Sequence, residues 1–257
     1  MTDTARPSRP APAATSFTTT APSGVRLPAA VLWDMDGTLL DSEPIWDVAM
    51  AELAVRHGIV MSPELRESTL GNSLPDALAK VHDAAGLSAA DRDPEADGRW
   101  TLDRVAELFA DDLPWRPGAS AALDLVAAAG IPMVLVTNTV RELTEVALET
   151  IGRERFTTTV CGDEVAVGKP APDPYLRAAE LLGVPTAECL AVEDSPTGAQ
   201  AASAAGCPTL VVESAAPVEP GRLRVFRTSL VGLDLDCVAD AWTGGLARIT
   251  TCKNEES

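Results

Sequence analysis

The sequence predicts an α/β protein: a doubly wound parallel sheet with an all-helical domain inserted after the first strand. Three observations lead there. Short apolar runs alternate with helical patterns, as in successive βαβ units. The run Val31-Leu-Trp33 leads into Asp34-Met-Asp-Gly37, so two carboxylates stand at the carboxyl edge of a buried strand, where open α/β sheets keep their ligands. Between residues 42 and 115 the alternation stops, and only helical patterns occur.

Taken in order, residues 1–26 are rich in Ala, Pro, Thr and Ser, and carry Arg6 and Arg9 without an apolar central segment. They read as a disordered tail, with a transit peptide as the second reading, and not as a secretory signal. Residues 31–33 form the first strand. Pro44 suits the first turn of a helix on which Ile45, Ala49 and Leu53 share a face. Leu74, Leu78 and Val81 form a second stripe, closed by Gly86, and Val105, Leu108 and Phe109 a third. These stripes read as the core of a small domain, 42–115, set over the sheet edge. After Pro117-Gly118 comes an Ala/Leu-rich helix, then a strand at 131–137 and a weaker one at 157–161. Strands at 190–194 and 209–213 flank a helical run at 197–205 that ends at Gly206. Arg224-Val-Phe226 and the stretch up to Trp242 finish the sheet. The main domain therefore comprises 27–41 and 116–243, and 244–257 is a second tail.

With 257 residues, 46% hydrophobic and 23% charged, the chain is long enough to bury a core. A net charge of −18 argues against nucleic acid or an anionic membrane as partner. An anionic small molecule stays admissible where a metal and a lysine are local to the site. No apolar run reaches the roughly 18–20 residues of a membrane helix. Cys161, Cys189, Cys207, Cys237 and Cys252 show no metal-binding or disulfide spacing and read as small hydrophobes in a reducing, cytoplasmic setting. There are no coiled-coil heptads, and the chain is expected to be a monomer or a dimer.

Four strand-end loops carry unusual polar residues: Asp34 and Asp36; Thr137 and Asn138; Lys169 in a proline-rich segment; and Glu193 with Asp194 before Ser195-Pro-Thr-Gly198. Singly, each has a plain explanation as turn, helix cap or surface residue. Together they place four carboxylates, a lysine and a hydroxyl along one sheet edge. Adjacent carboxylates repel one another unless a cation or a shared proton compensates them. The set suits a phosphate and a hard divalent ion such as Mg²⁺, with Lys169 as a point charge beside it.

The chain resembles the haloacid dehalogenase superfamily, in the subfamily of β-phosphoglucomutase and the small sugar-phosphate phosphatases. The resemblance rests on Asp34-Met-Asp-Gly-Thr38, Val136-Thr-Asn138, Gly168-Lys-Pro170 and Val192-Glu-Asp-Ser195, and covers about 210 residues. It implies that Asp34 is a nucleophile forming an aspartyl-phosphate, and that Asp36 is the general acid/base. It implies that Thr137 and Lys169 hold the transferring group. Asp34, Asp36 (through its carbonyl), Asp194 and Glu193, the last in the shell or directly behind it, would hold Mg²⁺. The helical insert would be a mobile cap that excludes water. Asn138, Trp46, Asn72, Ser73 and Lys80 are the expected substrate contacts.

Among the reactions of that superfamily, dehalogenation fits poorly, because its enzymes need no metal and typically lack the second aspartate. The mutase alternative calls for a cap histidine and a cap arginine. Aligned from the Asp-Gly turn, those positions fall at Trp46 and Leu74, neither of which can pair with a second phosphate. The expectation is therefore a Mg²⁺-dependent phosphatase acting on a small phosphorylated metabolite, a sugar or polyol phosphate. A phosphosugar mutase is the alternative, and a non-catalytic binding protein of the same fold a further one.

Overall fold

The structure is a computed structural model that describes residues 20–69, 72–214 and 216–247, the last three by backbone alone. Most of the expected N-terminal tail and most of the C-terminal one lie outside the described residues.

Six strands form one sheet: β1 (Ala30–Trp33), β2 (Met133–Val136), β3 (Thr158–Val160), β4 (Cys189–Glu193), β5 (Thr209–Val212) and β6 (Arg224–Arg227). Their order is β3-β2-β1-β4-β5-β6, and every neighbouring pair is parallel. The chain thus runs outward from β1 on one side, returns, and runs outward on the other. That reversal opens a crevice at the carboxyl ends of β1, β2 and β4. β1, β2, β4 and β5 are buried throughout, which is why they are almost wholly apolar. The outermost strand β6 begins on a half-buried arginine and ends on a buried one, Arg227, whose guanidinium donates to Ser229 O at 2.6 Å and Val231 O at 2.8 Å.

Alternate residues of each strand enter different cores. Val31, Trp33, Met133, Leu135, Leu190 and Val192 pack with α5 (Ala119–Ala128), α6 (Arg141–Ile151) and α9 (Leu235–Ala247). Ala30, Leu32, Val134, Val136, Cys189 and Ala191 face α7 (Asp173–Leu182) and α8 (Pro196–Ala204). The latter layer is lined mainly by alanine, so α8 lies close on the sheet. Cys161, Cys189 and Cys207 are buried; burial raises the thiol of Cys161 to about 11 and that of Cys189 to about 12. Among the described residues, no helix is long and apolar enough to cross a membrane.

Four helices lie between β1 and α5, where the insert is expected: α1 (Glu43–Arg56), α2 (Pro63–Thr69), α3 (Leu74–Ala84) and α4 (Pro94–Asp111). Prolines occupy the first turns of α1, α3 and α4, where the missing N–H costs nothing. Ser73 and Asp93 cap α3 and α4 through side-chain oxygens. Met50, Leu53, Ala54, Ala77, Leu78 and Val81 make a separate small core, while Val105 and Phe109 join the core of the main domain. The two connecting strands run side by side: Leu40 bridges Trp115, Asp41 N–H donates to Pro114 O at 2.8 Å, and Arg116 N–H donates to Leu39 O at 2.8 Å.

Packing begins ahead of the expected start at 27. Ala21 is buried, Ser23 N–H reaches Asp236, and the Arg26 guanidinium lies 4.8 Å from the Trp242 ring centroid. At the other end, α9 runs past the expected boundary at 243.

Candidate active site

Asp34 is the first residue beyond β1, and its N–H donates to Val192 O at 3.0 Å, so the adjoining strand sets its position. The chain then turns sharply at Gly37, with φ +82°. A Cβ there would lie 2.2 Å from Asp194 Oδ2, so glycine alone lets the first and fourth loops meet. Thr38 Oγ1 completes the junction by donating to Asp194 Oδ1 at 3.0 Å.

Lys169 is buried at the centre. Its ammonium donates to Asp34 Oδ1 at 2.5 Å, Glu193 Oε1 at 2.6 Å and Val136 O at 2.8 Å, which uses all three protons. Burial acts to lower its pKa, but Asp34 and Glu193 outweigh it and hold the ammonium above its ordinary value. The backbone of Lys169 is clamped by Asn138, whose Oδ1 accepts from Lys169 N at 2.7 Å while its Nδ2 donates to Lys169 O at 3.0 Å. Gly168 makes room for that clamp, since a Cβ would fall 2.7 Å from Asn138 Oδ1. Asn138 also borders the cleft described below.

Glu193 is fully buried and its two oxygens are engaged by protein donors. Besides Lys169, Oε1 accepts from Tyr175 OH at 2.7 Å. Oε2 accepts from Ser195 Oγ at 3.1 Å and from the N–H groups of Asp194 and Ser195. Asp36, half-buried, turns toward hydroxyls: it accepts from Ser42 at 2.7 Å, Thr139 at 2.7 Å and Thr137 at 3.2 Å.

Oxygen atoms of Asp34, Glu193 and Asp194 lie within 4.8 Å of one another. Burial, followed by repulsion from Glu193, raises the Asp34 carboxyl well above its usual range. The same two causes push Asp194 up to about 7. Four carboxylates with Asp36 included, set against the one ammonium of Lys169, leave the site short of positive charge. An all-oxygen donor set of this kind fits a hard divalent cation.

The insert closes over these residues and leaves a cleft of about 220 Å³. Asp34, Asp36, Thr137, Lys169 and Asp194 form its floor; Trp46, Met50, Leu74 and Leu102 form an apolar wall, with Glu43 and Asp47 beside them. Asn72 and Ser73 lie on its rim. Lys80 does not border the cleft: its ammonium donates to Asn72 Oδ1 at 3.0 Å and to Ser68 O, bracing the rim from outside. Of the partners that organise the floor, Ser42, Thr139 and Tyr175 escape sequence reasoning. Thr139 follows Thr137 by two residues, and Tyr175 is the chain's one tyrosine, but neither fact alone marks a site.

Residues 28–206 match the family model of haloacid dehalogenase-like hydrolases. The chain belongs to that family. It is 34% identical over 192 residues to hexitol phosphatase A of Escherichia coli, covering 75% of this chain and 85% of that protein. It is also 34% identical over 192 residues to a phosphoglycolate phosphatase of Chromobacterium violaceum, covering 71% and 84%. The crystal structure of CbbY from Rhodobacter sphaeroides in complex with phosphate superposes with a TM-score of 0.74 at 27% identity, over 82% of this chain and 99% of that one.

Proposed function

We propose that this chain hydrolyses the phosphate monoester of a small sugar or polyol, with Mg²⁺, through an aspartyl-phosphate on Asp34. The chain is a phosphoric monoester hydrolase, as its relatives named hexitol phosphatase A and phosphoglycolate phosphatase are. The observation that carries the reading is the Lys169 ammonium wedged between Asp34 and Glu193 beneath a covered cleft. It holds the attacking carboxylate in place and puts positive charge beside it.

In the proposed reaction the free oxygen of Asp34 bonds to phosphorus as the bond to the alcohol oxygen breaks. Asp36, oriented by Ser42 and Thr139, gives its proton to that oxygen. Asp36 then takes a proton from water as the water oxygen bonds to phosphorus and the phosphorus–Asp34 bond breaks, releasing inorganic phosphate. Magnesium, held by Asp34 and Asp194 with the Asp36 carbonyl, would screen the charge of carboxylate and phosphoryl group. With its oxygens already engaged, Glu193 acts from behind, on Lys169. Thr137 steadies both the phosphoryl group and Asp36.

Several features of the cleft oppose the mutase alternative. Trp46 and Leu74 both border it, and Lys169 is the sole cation among the described lining residues. A second phosphate therefore finds no cationic partner among the described residues of the insert that line the cleft.

The test is phosphate release from a panel of sugar, polyol and nucleotide monophosphates, with and without Mg²⁺, alongside Asp34→Asn. Turnover that needs Mg²⁺ and vanishes in a folded Asp34→Asn protein is expected. Full turnover in EDTA, or by the variant, would reject the metal or the nucleophile respectively.

A further inference from the structure

The chain contains two histidines, and both point at one carboxylate oxygen. His57 Nε2 lies 2.9 Å and His82 Nε2 2.8 Å from Asp97 Oδ2. The three come from separate elements of the insert: His57 ends α1, His82 lies in the last turn of α3, and Asp97 is in the first turn of α4. His82 and Asp97 are buried, and the rings meet edge to face with centroids 5.2 Å apart. None of the three borders the catalytic cleft. His57 stands seven residues past Met50 of the cleft wall, about 10 Å along the helix.

We propose that His57, His82 and Asp97 form a second metal site, for a zinc-type ion that ties three helices of the insert together. Imidazole nitrogen and one carboxylate suit zinc and its neighbours, whereas the oxygen-only floor of the catalytic site suits magnesium. One potential ligand atom from each residue lies within 4.8 Å of the others. Tetrahedral zinc at 2.0–2.1 Å from each ligand needs separations of about 3.3 Å. Each Nε2, now 2.8–2.9 Å from Asp97 Oδ2, therefore withdraws from it by about half an ångström. Both imidazoles present the same nitrogen, so the ion takes the place of two Nε2 protons. Two neutral imidazoles and one carboxylate leave a single positive charge and a fourth position for water. The side chain of His57, 18% exposed, provides the way in.

The experiment uses the untagged full chain, stripped with EDTA, returned to excess Mg²⁺ to satisfy the catalytic carboxylates, and titrated with zinc chloride. With two histidines in the chain, the ring ¹H–¹⁵N correlation spectrum reports this site directly. One equivalent of zinc is expected to shift both ring sets and to remain bound through buffer exchange. His57→Gln, at the more exposed corner, is expected to weaken zinc binding by about 100-fold or more, and His82→Gln likewise. Ring signals unchanged at stoichiometric zinc would overturn the proposal, as would equal zinc retention by wild type and His57→Gln. The wild-type spectrum decides the matter even where His82→Gln fails to fold.

Discussion

At the scale of single residues, the site depends on partners that never meet substrate. Tyr175 is buried with its hydroxyl on Glu193, and burial raises its pKa well above the ordinary value, so the phenol stays a donor. Tyr175→Phe leaves one acceptor of a buried carboxylate short. The expected cost is about 1.5–3 kcal/mol in urea unfolding, together with a lower kcat and little change in KM. Gly198 serves the same carboxylate by having no side chain: a Cβ would lie 1.9 Å from Glu193 Oε1. Gly198→Ala is expected to cost about 1–3 kcal/mol and to slow turnover by displacing Glu193, whereas an unaltered midpoint and kcat would contradict the packing argument. Asp34, Asp36 and Asp194 stand out in the sequence because they follow short apolar runs, and Lys169 because it opens a proline-rich loop. Tyr175 and Gly198 do not, since their importance arises only when α7 and α8 settle against β4.

Elements carry the relation between insert and core. Arg99 of α4 forms a two-pronged pair with Glu142 of α6, both contacts at 2.9 Å, and also reaches Asp103. The pair spans the two domains beside Leu102 and Val140, which border the cleft. Exposed pairs are screened by salt, so this one acts as a weak clasp that opens readily. Arg99→Ala and Glu142→Ala are each expected to raise KM and to speed hydrogen exchange in α4. Both effects should shrink at high salt, and the double variant should be no worse than either single one. A purely additive double variant would separate the pair from cap closure. The helices themselves were legible as stripes: Leu74, Leu78 and Val81 mark α3, and Pro44 marks the start of α1. Their orientation was not. Lys80, an expected substrate contact, donates instead to Ser68 O of α2 and to Asn72 Oδ1.

For the whole molecule, charge organises function. The chain carries −18, yet Lys169 is the one cation lining the cleft among the described residues; Glu43 adds negative charge above it, while Asp47 beside it is paired with Arg66. Burial and the neighbouring Asp47 raise the Glu43 carboxyl above its usual value. A substrate with a second anionic group meets repulsion there, while hydroxyls find acceptors. Hexose and hexitol monophosphates are therefore expected to exceed phosphoglycolate and sugar bisphosphates in kcat/KM by about 10-fold or more, a difference of roughly 1.4 kcal/mol in transition-state binding. A preference for phosphoglycolate in the same assay would overturn this reading of the insert.

While the strand order and the helix α9, where the sheet was expected to finish, came from the structure, the sequence by itself determined the fold class, the helical run after the first strand and the polar residues at the strand ends. These depend on local features: apolar runs of a few residues, glycine turns and helix-starting prolines, all of which act over a handful of neighbours. Only the tertiary structure decided which carboxylates meet Lys169, that Asn138 grips the lysine backbone, and that Ser23 and Arg26 reach α9. It alone brought His57, His82 and Asp97, far apart in the chain, to one point. Such meetings are set by how helices pack across long stretches of sequence, and no spacing of letters records that geometry.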